Sequence, residues 1–194
     1  MVCSARIMKF GNKKNDLVVK GIPFENVIQA AEFFFLMIQR YEIKTHARLL
    51  SSDNDDPMLI SPKDYYPFPS DMAEMSEEDV VKMETSLFSQ VKAWHKRLHY
   101  EIDFSFHDNP IFRTGDIVVI SHDGVNQPMI CLLAGWEMVS MKFAHAWIPH
   151  KRKDRAACLS KHFPQEPCPL LFISFQDRFL QMKKSERSKF LINP

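Results

Sequence analysis

The sequence predicts an α+β protein, with helices in its N-terminal half and a small, partly open antiparallel barrel in its C-terminal half. Up to Leu98, apolar residues recur at every third or fourth position, as in a helix that buries one face. After Phe112 they fall instead in short β-branched runs, which is the pattern of strands. We therefore expect a helical region at residues 1–106, with a Pro-rich acidic linker at 51–75, and a small barrel domain at 107–194.

Two helices are predicted in the N-terminal region. The first follows Pro23 and extends to about Leu50, and its consecutive phenylalanines at 33–35 predict burial on more than one side. The second begins after Ser76, a good N-cap that is followed by three acidic residues. Its apolar stripe steps by three or four residues: Val80, Met83, Leu87, Val91, Trp94 and Leu98. Between the two helices, four prolines within residues 51–70 predict a long loop.

The C-terminal half is predicted to contain strands at residues 117–120, 130–133 and 170–175. The first strand follows a Thr-Gly-Asp turn ending at Asp116, and the second ends in Gly-Trp-Glu at Trp136. Strands in this order are typical of small SH3-like barrels.

These landmarks give residues 109–190 a resemblance to the YccV-like domain, also called the hemimethylated-DNA-binding or heat-shock-protein-Q type of small barrel, which closes certain F-box proteins. The matching residues are Phe112, Gly115, Val118, Leu132 to Glu137, Trp147, and Pro169 to Asp177. The hairpin at 121–130 departs from the family pattern.

The resemblance implies a binding module without catalytic chemistry, whose ligand is DNA. An alternative is a protein-interaction adaptor in protein degradation or stress response, which docks its partner through the helical half. The candidate binding residues are Arg113, Trp136, Trp147, Lys151, Arg152, Lys153 and Arg155. The cations would contact phosphates, whereas the two tryptophans form either a ligand platform or part of the core.

Charge is distributed unevenly along the chain. Residues 53–85 contain ten acids and two lysines, and residues 139–194 contain eleven Lys/Arg and four acids, although the whole chain has a net charge of only +1. The two segments either attract each other or are solvated, or else the basic one binds a polyanion or an acidic partner.

Motifs for catalysis, cofactors and membranes are weak. Neither a Gly-x-Ser-x-Gly motif nor a catalytic Cys context is present, so we expect no enzyme, no cofactor and no small-molecule substrate. The spacing of Cys158, His162 and Cys168 matches no standard zinc site. A second pair, His95 and His99, lacks a third ligand. We therefore expect that these two histidines lie on the surface and that the protein binds no metal. The longest apolar run is too short to span a membrane.

The cysteines form no framework and predict reduced thiols, in the cytoplasm or nucleus. The first fifteen residues are basic and weakly resemble a mitochondrial presequence, which leaves a mitochondrial location open.

Overall fold

The structure is a computed structural model that describes residues 1–11, 16–50, 60–97, 110–133 and 135–165, without the side chains of residues 46–50. It confirms the α+β class. The elements, in chain order, are β1 (Val2–Met8), β2 (Leu17–Pro23), α1 (Val27–Leu50), α2 (Pro62–Tyr65), α3 (Glu77–Arg97), β3 (Ile117–His122), β4 (Val125–Leu132), β5 (Gly135–Met138), α4 (Met141–Trp147), the 3₁₀ turn Arg152–Asp154, and α5 (Arg155–His162).

The described strands form one antiparallel sheet in the order β2-β1-β3-β4-β5. This sheet is open, so the predicted SH3-like barrel is not confirmed. The predicted strands at 117–120 and 130–133 correspond to β3 and to the end of β4, whereas the one at 170–175 lies outside the described residues.

The N-terminal strands β1 and β2 were not identified from the sequence. In β1 the residues facing the core are Cys3, Ala5 and Ile7, and two of these are too small to give a strong strand signal. β1 pairs with β3, with Ala5 opposite Ile120. The region expected to be helical, residues 1–106, therefore contributes two strands to the same sheet as the C-terminal region.

Helices cover both faces of the sheet. Alternate residues of a strand point to opposite faces, so Val118 and Ile120 contact the layer of α1 and α3, while Ile117 and Val119 contact the layer of α4 and α5. All four are at most 1% exposed. Burial on both faces explains why the sequence of β3 is a continuous apolar run rather than an alternation.

The two long helices lie where the sequence predicts them. The Ser76 hydroxyl caps α3 by accepting a hydrogen bond from the Asp79 N–H at 3.2 Å. The predicted loop between the helices contains the short α2, with Pro62 at its start, a position that suits proline because no intrahelical donor is lost. No described helix is long and apolar enough to cross a membrane.

A buried ion pair connects the two long helices. Arg40 of α1 donates to the carboxylate of Glu84 on α3, and both side chains are at most 4% exposed. The Tyr66 hydroxyl also donates to Glu84 at 2.8 Å, and the Lys44 ammonium lies 3.6 Å from the second carboxylate oxygen. The buried charges are therefore paired and hydrogen-bonded, as low-dielectric surroundings require.

Removing one partner of this pair should destabilise the protein strongly. We expect Glu84→Ala to lower the free energy of unfolding by about 3 kcal/mol or more, because it leaves the Arg40 guanidinium buried without its counter-charge. In the control variant Glu78→Ala, the lost carboxylate is 79% exposed and pairs with Lys82 on the same helix. That change should cost about 0.5 kcal/mol or less. Urea denaturation of both variants measures the difference, and equal costs would contradict a buried ion pair.

Candidate nucleic-acid interface

The layer of α4 and α5 is held to the sheet by the buried carboxylate of Asp116, which is 0% exposed. One carboxylate oxygen accepts from the Phe10 N–H and the other from the Arg113 N–H, both at 2.9 Å. The preceding Gly115 has φ +86°, and a Cβ there would lie 3.5 Å from the Leu159 side chain. The Gly-Asp step therefore provides both a left-handed turn and a buried acceptor.

Arg155 completes this group. Its guanidinium lies 3.2 Å from the Asp116 carboxylate, donates to the Thr114 carbonyl at 2.6 Å, and stacks 5.1 Å from the Phe10 ring centroid. We call Phe10, Thr114, Asp116 and Arg155 the Asp116 cluster. Because its charge is paired with Asp116, Arg155 fixes the start of α5 on the sheet rather than offering a free cation.

Trp147 lies in the core rather than on a ligand platform. Its side chain is 2% exposed, and its indole N–H donates to the Gly115 carbonyl at 2.7 Å. Its ring contacts Phe10 edge-on at 5.0 Å and stacks on Phe143 at 5.5 Å. Trp147 therefore packs α4 against the Asp116 cluster.

The three candidate cations Lys151, Arg152 and Lys153 are exposed, and we call them the basic loop. The backbone at the start of the loop packs closely on Gly11, the turn residue after β1. The Gly11 N–H donates to the Ile148 carbonyl at 2.9 Å, and a Cβ on Gly11 would lie 3.0 Å from the Arg152 backbone nitrogen and 3.2 Å from the His150 carbonyl oxygen. The backbone of the basic loop thus packs against Gly11, and the charged ends of its side chains are exposed.

The surface around the basic loop is also positively charged. Residues 135–165 contain six Lys/Arg and two acids, and the flanking helices expose Lys142 and Lys161. The exposed acids Glu77, Glu78 and Asp79 begin α3, in the layer on the opposite face of the sheet. The acids at the start of α3 and the cations of the basic loop therefore lie in different layers.

Trp136 and Arg113 lie apart from the basic loop. Trp136 is half-buried on β5, with its ring centroid 5.7 Å from that of Phe112 and 5.9 Å from that of Phe35. It lines an open pocket of about 350 Å³ beside the end of α5. Arg113 is half-buried near Glu42, and its positive charge opposes part of the rise in the pKa of that carboxyl that burial causes.

A buried Lys–Glu group was not found from the sequence. The Lys9 ammonium donates to the carbonyls of Pro110 and Ile111, each at 2.9 Å, and the Ile111 N–H donates to the Glu42 carboxyl at 2.5 Å. Burial raises the pKa of Glu42 to about 7, although the Ile111 N–H and the Lys9 charge oppose this. Lys9 and Glu42 therefore hold the backbone at Pro110 and Ile111 in place.

The candidate metal ligands do not form a site within the described part of the chain. There, no group of three or more His, Cys, Asp or Glu residues is close enough to hold a metal ion. His95 is half-buried rather than a surface side chain, with its ring against Tyr41 and Trp94, and burial lowers its pKa to about 4. His99 and Cys168 lie outside the described residues.

The raised pKa of Glu42 predicts a pH-dependent difference in stability. In the folded protein this carboxyl holds its proton up to about pH 7, compared with about 4.5 for its ordinary value. Its contribution is therefore fully present below pH 4.5 and is lost as the pH rises to 7. Glu42→Gln removes this loss, so the variant should gain up to about 3 kcal/mol relative to the wild type across that window.

Urea denaturation at several pH values measures this gain as the difference between the two free energies of unfolding. His95 titrates in an overlapping range, but it is present in both proteins, so its contribution cancels. Glu32→Gln, on an exposed carboxyl of the same helix, controls for the substitution itself. A Glu42→Gln difference that is constant from pH 4.5 to 7 would show that Glu42 ionises normally.

Comparison with known proteins gives no relative for this chain: no family model, no curated protein and no solved structure matches it.

Proposed function

We propose that this chain is a non-enzymatic binding module that contacts DNA through the phosphates. The observation that carries the proposal is the basic loop: three exposed cations on a backbone fixed against Gly11. A fixed backbone lowers the entropy lost when the side chains bind phosphates, because only the ends of the side chains become ordered.

The form of the basic loop favours phosphate contact over base reading. Lys151, Arg152 and Lys153 lie on a loop and a single 3₁₀ turn, and the adjoining α5 has only eight residues. No long, free helix projects from this layer of the described structure to enter a groove. The contact is therefore mainly electrostatic and independent of sequence.

The resemblance to YccV-like domains supports the same ligand class, and the proposal includes their SH3-like barrel fold. This part of the proposal is supported by the positions that the resembling residues occupy in the structure. Gly115 forms the left-handed turn before β3, Val118 is buried in β3, and the Gly-Trp-Glu sequence is on β5 of an antiparallel meander. The divergent hairpin around Asp123 and Gly124 is a tight turn with both residues at positive φ.

The second candidate function is a protein-interaction adaptor in degradation or stress response. The observation that favours it is an uncovered part of the sheet. Val2 and Val18 are 57% and 46% exposed, and by strand alternation they lie on the face that α4 and α5 cover elsewhere. Exposed apolar side chains on a sheet face are a common feature of protein-binding surfaces.

Salt dependence tests the DNA proposal. Binding to duplex DNA should be micromolar or weaker at physiological salt and should fall steeply as salt rises. Changing Lys151, Arg152 and Lys153 together to Gln should reduce the slope of log K against log salt by up to about 2.7, which is about 0.9 for each lost phosphate contact. Fluorescence anisotropy with labelled DNA measures this slope.

A matched control removes the same charge from the other layer. Lys92, Lys96 and Arg97 are exposed on α3, and changing all three to Gln should leave the slope unchanged. Thermal melting checks that both triple variants are folded. Equal loss of slope in the two variants would contradict a role for the basic loop. Absence of binding by the wild type at low salt would favour the adaptor.

A further inference from the structure

We infer that the outer edge of strand β2 pairs with a second copy of this chain when it is open, and that the Gln90 side chain keeps it closed. Among the described strands, β2 lies at the end of the sheet and pairs with β1. The outer edge of such a strand offers N–H and C=O groups to any other extended chain. The inference adds a surface that the proposed phosphate contact does not use.

Gln90 of α3 closes the edge at one residue, Lys20. The Lys20 N–H donates to the Gln90 side-chain oxygen at 2.9 Å, and the Gln90 amide nitrogen donates to the Lys20 carbonyl at 3.0 Å. A neighbouring antiparallel strand makes the same two bonds with the residue that it faces. Gln90 therefore takes the place of one residue of an added strand, while its main chain remains in α3.

A second outward position of the edge lies at Val18. Every second residue of a strand directs its N–H and C=O to the same side, so Val18 faces away from β1 as Lys20 does. The register between β1 and β2 is regular over this stretch, because its irregularity lies between Cys3 and Ser4, beyond Lys20. The Val18 side chain is 46% exposed. Among the described residues, no side chain caps Val18 as Gln90 caps Lys20.

The charges beside Val18 make the edge complementary to itself. Asp16, Val18 and Lys20 alternate along the chain, so their side chains share one face of the sheet. The Asp16 carboxylate lies 3.9 Å from the guanidinium of Arg6, which is opposite Val18 on that face. In an antiparallel pair with its two-fold axis at Val18, Lys20 of each copy faces Asp16 of the other. Opposite charges across a strand pair are favourable, and the symmetry forms this contact twice.

The Gln90 cap opposes this pairing. A second copy gains the backbone groups of Lys20 only if Lys20 gives up both of its bonds to Gln90. A single pair of strands is also smaller than the interfaces of about 1,200 Å² or more that hold stable complexes. The dimer is therefore weak, and the loss of two hydrogen bonds is enough to keep the chain monomeric.

Sedimentation equilibrium of the full chain tests this inference. Gln90→Ala removes both bonds and keeps a residue that favours the helix. This variant should dimerise at least about ten-fold more tightly than the wild type. The control is Ser89→Ala on the same helix, where the lost hydroxyl donates to the Ser86 carbonyl of α3, and it should sediment like the wild type. Gln90→Ala that associates no more than this control would overturn the inference.

Exchange of charge tests whether the partner is a second copy in the expected register. In the Gln90→Ala background, Lys20→Glu places two like charges across the strand pair and should abolish the dimer. Adding Asp16→Lys restores opposite charges and should restore the dimer. Thermal melting checks that each variant is folded. Association that persists through Lys20→Glu, or that Asp16→Lys does not restore, would contradict pairing about Val18.

Discussion

The packing of α4 and α5 on the sheet depends on one buried carboxylate, that of Asp116. It accepts from the Phe10 N–H after β1 and from the Arg113 N–H before β3, and it forms an ion pair with the Arg155 guanidinium at the start of α5. A fully buried charge is tolerated only with such partners. The three segments are far apart in the sequence, and they must meet for the Asp116 carboxylate to find its partners. The position of the basic loop is therefore a consequence of core formation.

The helical layer solves a similar problem on the opposite face. Because α1 is buried on several sides, the polar residues in the second half of this helix cannot all reach water. Arg40 pairs with Glu84 of α3, while Glu42 accepts from the Ile111 N–H near the Lys9 ammonium. These contacts connect α1 both to its neighbouring helix and to the start of the C-terminal half, so the expected helical region and barrel region share polar as well as apolar contacts.

The sequence predicted elements with strong periodicity and missed those defined by tertiary contacts. Helix α3 was predicted from its apolar stripe and its Ser76 cap, and β3 from four β-branched residues. Strand β1 was missed because Cys3 and Ala5 are small, although they fit closely against the helices. Asp116 was recognised only as a turn residue, since nothing in its local sequence shows that the distant Arg155 pairs with it. The same limitation made Arg155 resemble a free cation.

The net charge of only +1 hides a local excess of cations in the layer of α4 and α5, where residues 135–165 contain six Lys/Arg and two acids. The acids at the start of α3 and the cations of the basic loop lie in layers on opposite faces of the sheet. Packed layers lie about 10 Å apart, so groups on opposite faces of the sheet are separated by more than the Debye length, which is about 8 Å at physiological ionic strength. In the proposed phosphate contact, the acids at the start of α3 would therefore be screened from the ligand, while the basic loop would act at contact distance. The local charge of the face, and not the net charge, determines the interaction.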